Sequence, residues 1–124
     1  MIMSAGDIVT ASYNRFEGEP KTGIFLIIYN ERDDRKYTSG HTNINCVKIT
    51  TNNFLGNSYV VRLRPGDGNL DKDCIINLSK VHVLAKTQIH KKIGHLNSQI
   101  MLNVFKELRE FNNEVERQVI QNMQ

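Results

Sequence analysis

The spacing of the apolar residues changes once along this chain, and that change limits its possible folds more than any other feature. From Gly6 to about Lys86, apolar residues come in short runs rich in Val, Ile, Thr and Tyr, and turn-forming residues separate the runs. Runs of this kind are typical of β-strands. From Asn97 onward, apolar residues recur every three or four positions, as in a helix that packs one face on a core. The sequence therefore predicts a β-rich body followed by one C-terminal helix.

Segments with the composition of strands cover residues 7–13, 23–29, 45–51, 58–64, 74–78 and 81–84. The second is apolar at every position from Ile24 to Tyr29, as expected of a central strand that is covered on both faces. Residues 77–80 predict a kink or short turn between the last two segments. We therefore expect an α+β, mainly β fold, in which about six mostly antiparallel strands over residues 6–86 form a small barrel or a strongly twisted sheet.

The helix is expected over about residues 97–119. Asn97 is a suitable N-cap because its side-chain oxygen can accept a hydrogen bond from an amide one turn into the helix. The spacing places one apolar stripe along the helix, made of Ile100, Val104, Leu108, Phe111, Val115 and Val119. Lys, Arg and Glu occupy the other side, so the stripe is expected to pack against the sheet.

Length and charge limit the kinds of protein that this chain can be. The chain has 124 residues and a formal charge of +3, which fits one domain over residues 1–124. Its longest apolar run, residues 24–29, is far shorter than the roughly 20 residues of a membrane-spanning helix. The first seven residues lack the basic and apolar regions of a signal peptide. We therefore expect a cytoplasmic protein that does not bind a membrane.

The cysteines and histidines do not predict a metal site. Cys46 and Cys74 lack the C-x-x-C spacing of zinc ligands, and both lie in strand-like segments, so we expect reduced, buried packing residues. Of the four histidines, only His90 and His95 lie close in sequence, and a spacing of five residues is poor geometry for a metal. The chain also lacks the motifs of P-loop nucleotide-binding proteins, zinc proteases and serine hydrolases. No cofactor is expected.

Basic residues alternate along two of the predicted strands. Lys80, His82 and Lys86 are separated by two and by four residues, so in a strand they share a face, and Arg62 and Arg64 share a face of the preceding strand. Such a stripe can follow the phosphates of a nucleic acid, or it can be an ordinary solvated sheet face. The residues themselves leave both interpretations open.

Several segments together resemble the MazF/PemK (Kid) family, the toxins of type II toxin–antitoxin systems. They are Gly6-Asp7-Ile8-Val9 at the start of a strand, the loop 18–22, the apolar strand 23–29, Val47-Lys48-Ile49-Thr50-Thr51, and the later stretches 73–81 and 91–97. Their order agrees with the family from Gly6 to about Glu114. The resemblance implies a barrel-like, SH3-like sheet of the plasmid-maintenance-toxin type, a homodimer, an antitoxin partner, and metal-independent cleavage of single-stranded RNA.

The chain departs from the family pattern at two places. The family usually has an Arg-Pro pair at the start of the second strand, where this chain has Gly23-Ile24 or, with a one-residue gap, Phe25-Leu26. Many members have an acid-Gln pair followed by an arginine where this chain has Ser79-Lys80 and then His82. The family reaction, attack of a ribose 2′-hydroxyl on the adjacent phosphate, needs a base, an acid and a cation. Other groups would have to supply them here.

If the chain keeps the family reaction, the following residues are the candidates. Glu19 (or Glu17) and His82 are candidates for the base and the acid, Lys21 for the cation on the phosphate, and Thr50 for positioning it. The candidate RNA-binding residues are Arg15, Arg62, Arg64 and Lys80. The resulting hypothesis is an endoribonuclease toxin. The alternative is a catalytically impaired member that keeps the fold and acts as a nucleic-acid-binding or protein-binding module.

Overall fold

The structure is a computed structural model, and it describes residues 3–13, 20–30, 43–51 and 59–123. The described part folds into an antiparallel sheet followed by one long helix, which confirms the predicted fold class. Its elements are β1 (Asp7–Tyr13), β2 (Lys21–Asn30), β3 (Asn43–Thr50), β4 (Val60–Leu63), β5 (Cys74–Ala85), β6 (Ile89–His95) and α1 (Ser98–Asn122), with short 3₁₀ turns at Asp67–Asn69 and Lys86–Gln88.

The strands follow the spatial order β4-β5-β3-β2-β1-β6, and all neighbours are antiparallel. The prediction of two separate strands at 74–78 and 81–84 is wrong, because β5 is continuous. A bulge explains the predicted kink: Val47 of β3 pairs with Val81, but the next residue, Lys48, pairs with Asn77, so three residues of β5 have no partner in β3. β5 is therefore one strand that bends at this bulge.

The strand β6 was not predicted, since the strands were expected to end near residue 86. Its sequence, Ile-His-Lys-Lys-Ile-Gly-His, contains only two β-branched residues and no aromatic ones, so the local signal for a strand is weak. The segment becomes a strand by pairing with β1, with Val9 opposite Lys92 and Asp7 opposite His95. At this edge of the sheet its exposed side chains are mostly basic.

Both faces of the sheet carry a hydrophobic core. The face toward α1 buries a first cluster that includes Ile8, Leu26, Val47, Leu78, Met101 and Val104. The opposite face buries a second cluster that includes Val9, Tyr13, Phe25, Ile27, Cys46 and Leu84. Because alternate residues of a strand point to opposite faces, the central strands contribute to both clusters. This explains why β2 is apolar at consecutive positions.

The helix begins as predicted and extends three residues beyond the predicted end. Oδ1 of Asn97 accepts a hydrogen bond from the backbone N–H of Ile100 at 2.9 Å, which makes Asn97 the N-cap. Near the N-terminal end, Met101 and Val104 are buried against the sheet. Farther along the stripe, Val119 is 51% exposed, so the apolar stripe packs on the sheet over the first part of the helix only.

Cys46 and Cys74 are free and buried, as expected. Burial raises the pKa of the Cys46 thiol to about 12, so it stays protonated at neutral pH. In the described part of the chain, no helix combines the length and apolarity needed to cross a lipid bilayer.

Candidate active site

A pocket of about 160 Å³ opens on the face of the sheet opposite α1. Among the described residues, its lining consists of Tyr13 of β1, Lys48 of β3, and Asn77, Lys80 and His82 of β5. Three strands that are far apart in sequence therefore contribute to one small concave surface.

The antiparallel register brings these side chains together. Lys48 lies opposite Phe25 of β2 on one side and opposite Asn77 of β5 on the other. His82 lies opposite Cys46, which is two residues before Lys48 and therefore on the same face of β3. The bulge in β5 brings both Asn77 and His82 next to β3 within a span of three β3 residues.

Lys48 and Tyr13 form a direct contact across the sheet. Nζ of Lys48 donates a hydrogen bond to the Tyr13 hydroxyl, and it lies 4.7 Å from the centroid of the Tyr13 ring. Tyr13 is only 8% exposed, and its ring packs edge-on against Phe25, with the two centroids 5.3 Å apart. Packing of the ring therefore fixes the hydroxyl, and the hydroxyl holds the ammonium group at the pocket.

His82 is half-buried in an aromatic and cationic environment. Its ring centroid lies 5.3 Å from that of Phe25 and 6.1 Å from that of Tyr13, in edge-to-face geometry. Burial lowers the pKa of His82, and the charges of Lys80 and Lys48 lower it further. The imidazole is therefore neutral at pH 7 and can accept a proton from a ligand.

A local hydrogen-bond motif shapes the bulge beside the pocket. Oδ1 of Asn77 accepts from the backbone N–H of Ser79 at 3.0 Å and from the Ser79 hydroxyl at 2.6 Å. An Asn side chain that bonds the backbone two residues later stabilises a turn-like conformation. This Asn77–Ser79 motif explains why the sequence bends here, and the bend places Lys80 and His82 at the same pocket.

The charge of the pocket favours an anion. Two ammonium groups, an imidazole and a phenol hydroxyl face it, and no carboxylate is among the described residues that line it. In the described ranges, no group of three or more His, Cys, Asp or Glu side chains is arranged to hold a metal ion. A phosphodiester has the charge and the acceptor oxygens that such a lining recognises.

A protein-family model described as the PemK-like, MazF-like toxin of type II toxin–antitoxin systems matches residues 4–112, which is most of the chain. The chain belongs to this family. The match spans every described strand and α1 as far as Asn112, so the PemK/MazF resemblance found in the sequence is confirmed. A comparison of the sequence with curated proteins gave no match.

Solved structures share the fold of this PemK/MazF family member. An endoribonuclease from mycobacterial species, solved in complex with its cognate antitoxin, is 16% identical with a TM-score of 0.67, over 90% of this chain and 96% of that chain. The Mycobacterium tuberculosis toxin MazF-mt6 is 17% identical with a TM-score of 0.67, over 86% and 96%. Another endoribonuclease from mycobacterial species is 16% identical with a TM-score of 0.63, over 91% and 96%. At these identities the likeness shows the fold.

The residues that the sequence suggested for catalysis in this PemK/MazF family member fall into three groups: one lines the pocket, two lie on the same sheet face outside the lining, and one lies outside the described residues. His82 lines the pocket, as does Lys80, which the sequence suggested for RNA binding. Lys21 and Thr50 lie on the same sheet face outside the lining: Lys21 is exposed opposite Tyr13, and Thr50 is half-buried two residues after Lys48. The fourth catalytic candidate, Glu19, lies outside the described residues, as do its alternative Glu17 and the RNA-binding candidate Arg15.

The other two predicted RNA-binding residues lie near the β4 edge. Arg62 is exposed and lies opposite Ile75 of β5, which in turn lies opposite Thr50 of β3, so Arg62 and Thr50 share a row of the sheet. Arg64 is exposed in the turn after β4, where its backbone N–H donates to Oδ2 of Asp67 at 2.9 Å. Neither arginine lines the pocket.

Sequence reasoning missed three of the pocket residues, Tyr13, Lys48 and Asn77. A signal for Lys48 was present, because it alternates with Cys46 and Thr50 along β3 and so shares their face. The ring of Tyr13 lies in the core, but its hydroxyl reaches the pocket. For Asn77 the sequence indicated a bend, and only the strand register places that bend beside Lys48.

Proposed function

We propose that this protein is an endoribonuclease that cleaves single-stranded RNA at the pocket around Lys48 and His82 without using a metal ion. The observation that carries the proposal is one pocket that holds a neutral imidazole together with two lysine ammonium groups and a phenol hydroxyl. The description of two solved proteins of the same fold as endoribonucleases supports it.

In this proposal His82 is the general base. Its pKa lies below the ordinary value of 6.5, so the imidazole is unprotonated at neutral pH and ready to take a proton. It removes the proton from a ribose 2′-hydroxyl while the 2′-oxygen attacks the adjacent phosphorus. A base with a pKa near the working pH is well suited to this step.

Lys48 and Lys80 stabilise the negative charge that builds up on the phosphate oxygens. Fixed cations at the place where charge develops supply a large part of the rate enhancement in such reactions. The Tyr13 hydroxyl gives its proton to the departing 5′-oxygen as the bond between phosphorus and that oxygen breaks. The products are a 2′,3′-cyclic phosphate and a free 5′-hydroxyl.

The remaining sequence candidates are proposed to bind the RNA strand around the scissile phosphate. We assign Thr50 and Lys21, which share the pocket's sheet face, to contacts with the neighbouring phosphate or ribose. Arg62 and Arg64 extend the basic surface toward β4, and Arg15 completes the proposed RNA-binding set, while Glu19 stays a candidate for the acid–base chemistry. Because these contacts are mainly with phosphates, binding should weaken as the salt concentration rises.

We further propose that the protein acts in the cytoplasm as a homodimer and is inhibited by an antitoxin. The mycobacterial endoribonuclease solved with its cognate antitoxin supports the antitoxin proposal. Many regulatory segments of this kind are disordered and fold on binding, and an acidic one would complement the basic pocket. The product of the neighbouring gene, added to the purified protein, should block RNA cleavage.

The direct test incubates the purified protein with mixed-sequence single-stranded RNA in EDTA and analyses fragment lengths and end groups. His82→Ala should lower the cleavage rate about 10²-fold or more, because a general base contributes at least that much. Thr22→Ala is the matched control: Thr22 is exposed, lies opposite Ser12, and belongs to the other face of β2. It should cleave like the wild type.

Two outcomes would contradict the proposal. RNA that stays intact at high concentrations of wild-type protein would exclude the endoribonuclease activity. Cleavage that stops in EDTA and returns with a divalent cation would exclude the metal-independent reaction. If intact RNA nevertheless shifts in a gel with strong salt dependence, the alternative function, binding without cleavage, replaces the first.

A further inference from the structure

We infer that Gly23 is a positioning residue of the pocket: its missing side chain leaves the space in which Tyr13 and Lys48 meet across β2. The catalytic part of this inference rests on the proposed function. Its structural part concerns only the protein without RNA and can be tested separately.

The strand register shows where the contact crosses the sheet. β2 lies between β1 and β3, and Tyr13 of β1 lies opposite Lys21 of β2. Lys48 of β3 lies opposite Phe25 of β2. The residue midway between Lys21 and Phe25, on the same face of β2, is Gly23. The hydrogen bond between Lys48 and Tyr13 therefore runs diagonally over Gly23.

A side chain at position 23 would press on the ring of Tyr13, the residue that holds Lys48. A Cβ atom there would lie 3.0 Å from Cε1 of Tyr13, 3.2 Å from Cε2 of Phe25 and 3.7 Å from Cε of Lys48. Phe25 is fully buried in the second core cluster, which holds its ring in place. The Tyr13 ring, which lines the open pocket, is therefore the group that must shift, and Lys48, at ordinary contact distance from the new Cβ, moves with the hydroxyl that it contacts.

The backbone does not require a glycine at this place. The glycines with positive φ in the described chain are Gly6, Gly66 and Gly68, and Gly23 is not among them. A glycine inside a strand weakens the strand, and it commonly marks a close approach of other groups. At Gly23 the approaching groups are the rings of Tyr13 and Phe25 and the stem of Lys48, and of these Tyr13 and Lys48 line the pocket.

The first experiment compares Gly23→Ala with Thr22→Ala and the wild type, using an NMR titration of His82 in the absence of RNA. Tyr13 and Phe25 bury the imidazole, and Lys48 and Lys80 place positive charge beside it. Displacement of the Tyr13 ring by the new methyl group, together with the Lys48 ammonium that its hydroxyl holds, should raise the pKa of His82 in Gly23→Ala only. A His82 titration that matches the wild type in a folded Gly23→Ala protein would overturn the inference.

The second experiment is a double-mutant cycle with RNA cleavage as the readout. Gly23→Ala should lower kcat about 10²-fold with little change in KM, because misplaced catalytic groups lose rate rather than binding. Tyr13→Phe removes the hydroxyl that Lys48 contacts, so adding Gly23→Ala to it should cause less than a threefold further loss. Losses in kcat that multiply fully would assign Gly23 a merely structural role and overturn the inference.

A third variant covers the case in which Gly23→Ala does not fold. Phe25→Leu removes the ring edge on one side of the new methyl group, so Gly23→Ala in the Phe25→Leu background is compared with Phe25→Leu alone. The same rise in the pKa of His82 is expected, and its absence counts against the inference. If the wild type cleaves no RNA, the proposed function fails, while the His82 titration still decides the role of Gly23.

Discussion

Nδ1 of His95, the last residue of β6, lies 2.7 Å from Oδ1 of Asp7, the first residue of β1. Nζ of Lys92 lies 3.0 Å from the same oxygen, and the backbone N–H of Ser4 donates to Oδ2 at 2.9 Å. The Asp7 side chain is only 1% exposed. One buried carboxylate thus joins the N-terminal turn, the first strand and the unpredicted edge strand.

Asp7 should make the free energy of unfolding depend on pH in the acid range. Burial raises its pKa, but the hydrogen bonds from Ser4 and His95 and the contact with Lys92 outweigh burial, so the folded pKa lies below the ordinary 3.8. A lowered folded pKa gives stability that is present above pH 3.8 and is lost as the pH falls through the folded value. Asp7→Asn should reduce the free energy of unfolding by about 2 kcal/mol at pH 7. Urea unfolding should show this difference shrinking below pH 3.8; a difference that stays constant would contradict it.

Lys48 should be required for efficient cleavage of RNA. Lys48→Met removes a cation from the pocket and should lower kcat/KM for single-stranded RNA by about 10²- to 10³-fold, the usual cost of losing one group that stabilises transition-state charge. Lys72→Met, at an exposed position before β5, removes the same charge elsewhere and is the control. Equal activities of the two folded variants would show that Lys48 does not act on the substrate.

The pH dependence of cleavage should follow His82. Since the unprotonated imidazole is the active form, kcat/KM should rise through the pKa of His82, below 6.5, and level off above it. Lys80 lies in the same pocket, and its charge helps to lower that pKa. Lys80→Gln should therefore move the acid limb of the profile to higher pH. A limb that stays in place or moves to lower pH would assign it to another group.

The close contact between β6 and the 3₁₀ turn should make Gly94 hard to replace. A Cβ at Gly94 would lie 1.8 Å from the carbonyl oxygen of Gly68. Gly94→Ala should therefore reduce the free energy of unfolding by about 3 kcal/mol, since two backbones must separate. Gly66→Ala is the comparison: no atom lies within 4 Å of its Cβ, but φ is +98°, so a cost of about 1 kcal/mol is expected. Similar unfolding midpoints for the two variants would contradict this.

The local parts of the fold were predictable because the responsible signals lie within a few residues. The Asn97 N-cap, the apolar stripe from Ile100 and the alternation along β3 each depend on backbone periodicity and short-range hydrogen bonds. The basic strand β6 escaped prediction for the opposite reason. Its residues have little intrinsic preference for a strand, and the partner that makes them one, β1, lies about 80 residues earlier in the chain.

The residues of the candidate site also divide into those that the sequence predicted and those that only the tertiary structure shows. The sequence by itself determined the fold class, the family resemblance and two residues of the pocket, His82 and Lys80. Only the tertiary structure decided that Lys48 and Tyr13 complete it, since 35 residues separate them and their contact depends on strand order and register. A shift of one residue would turn Lys48 to the other face of the sheet. Register is fixed by the packing of both cores, and no short stretch of sequence contains that information.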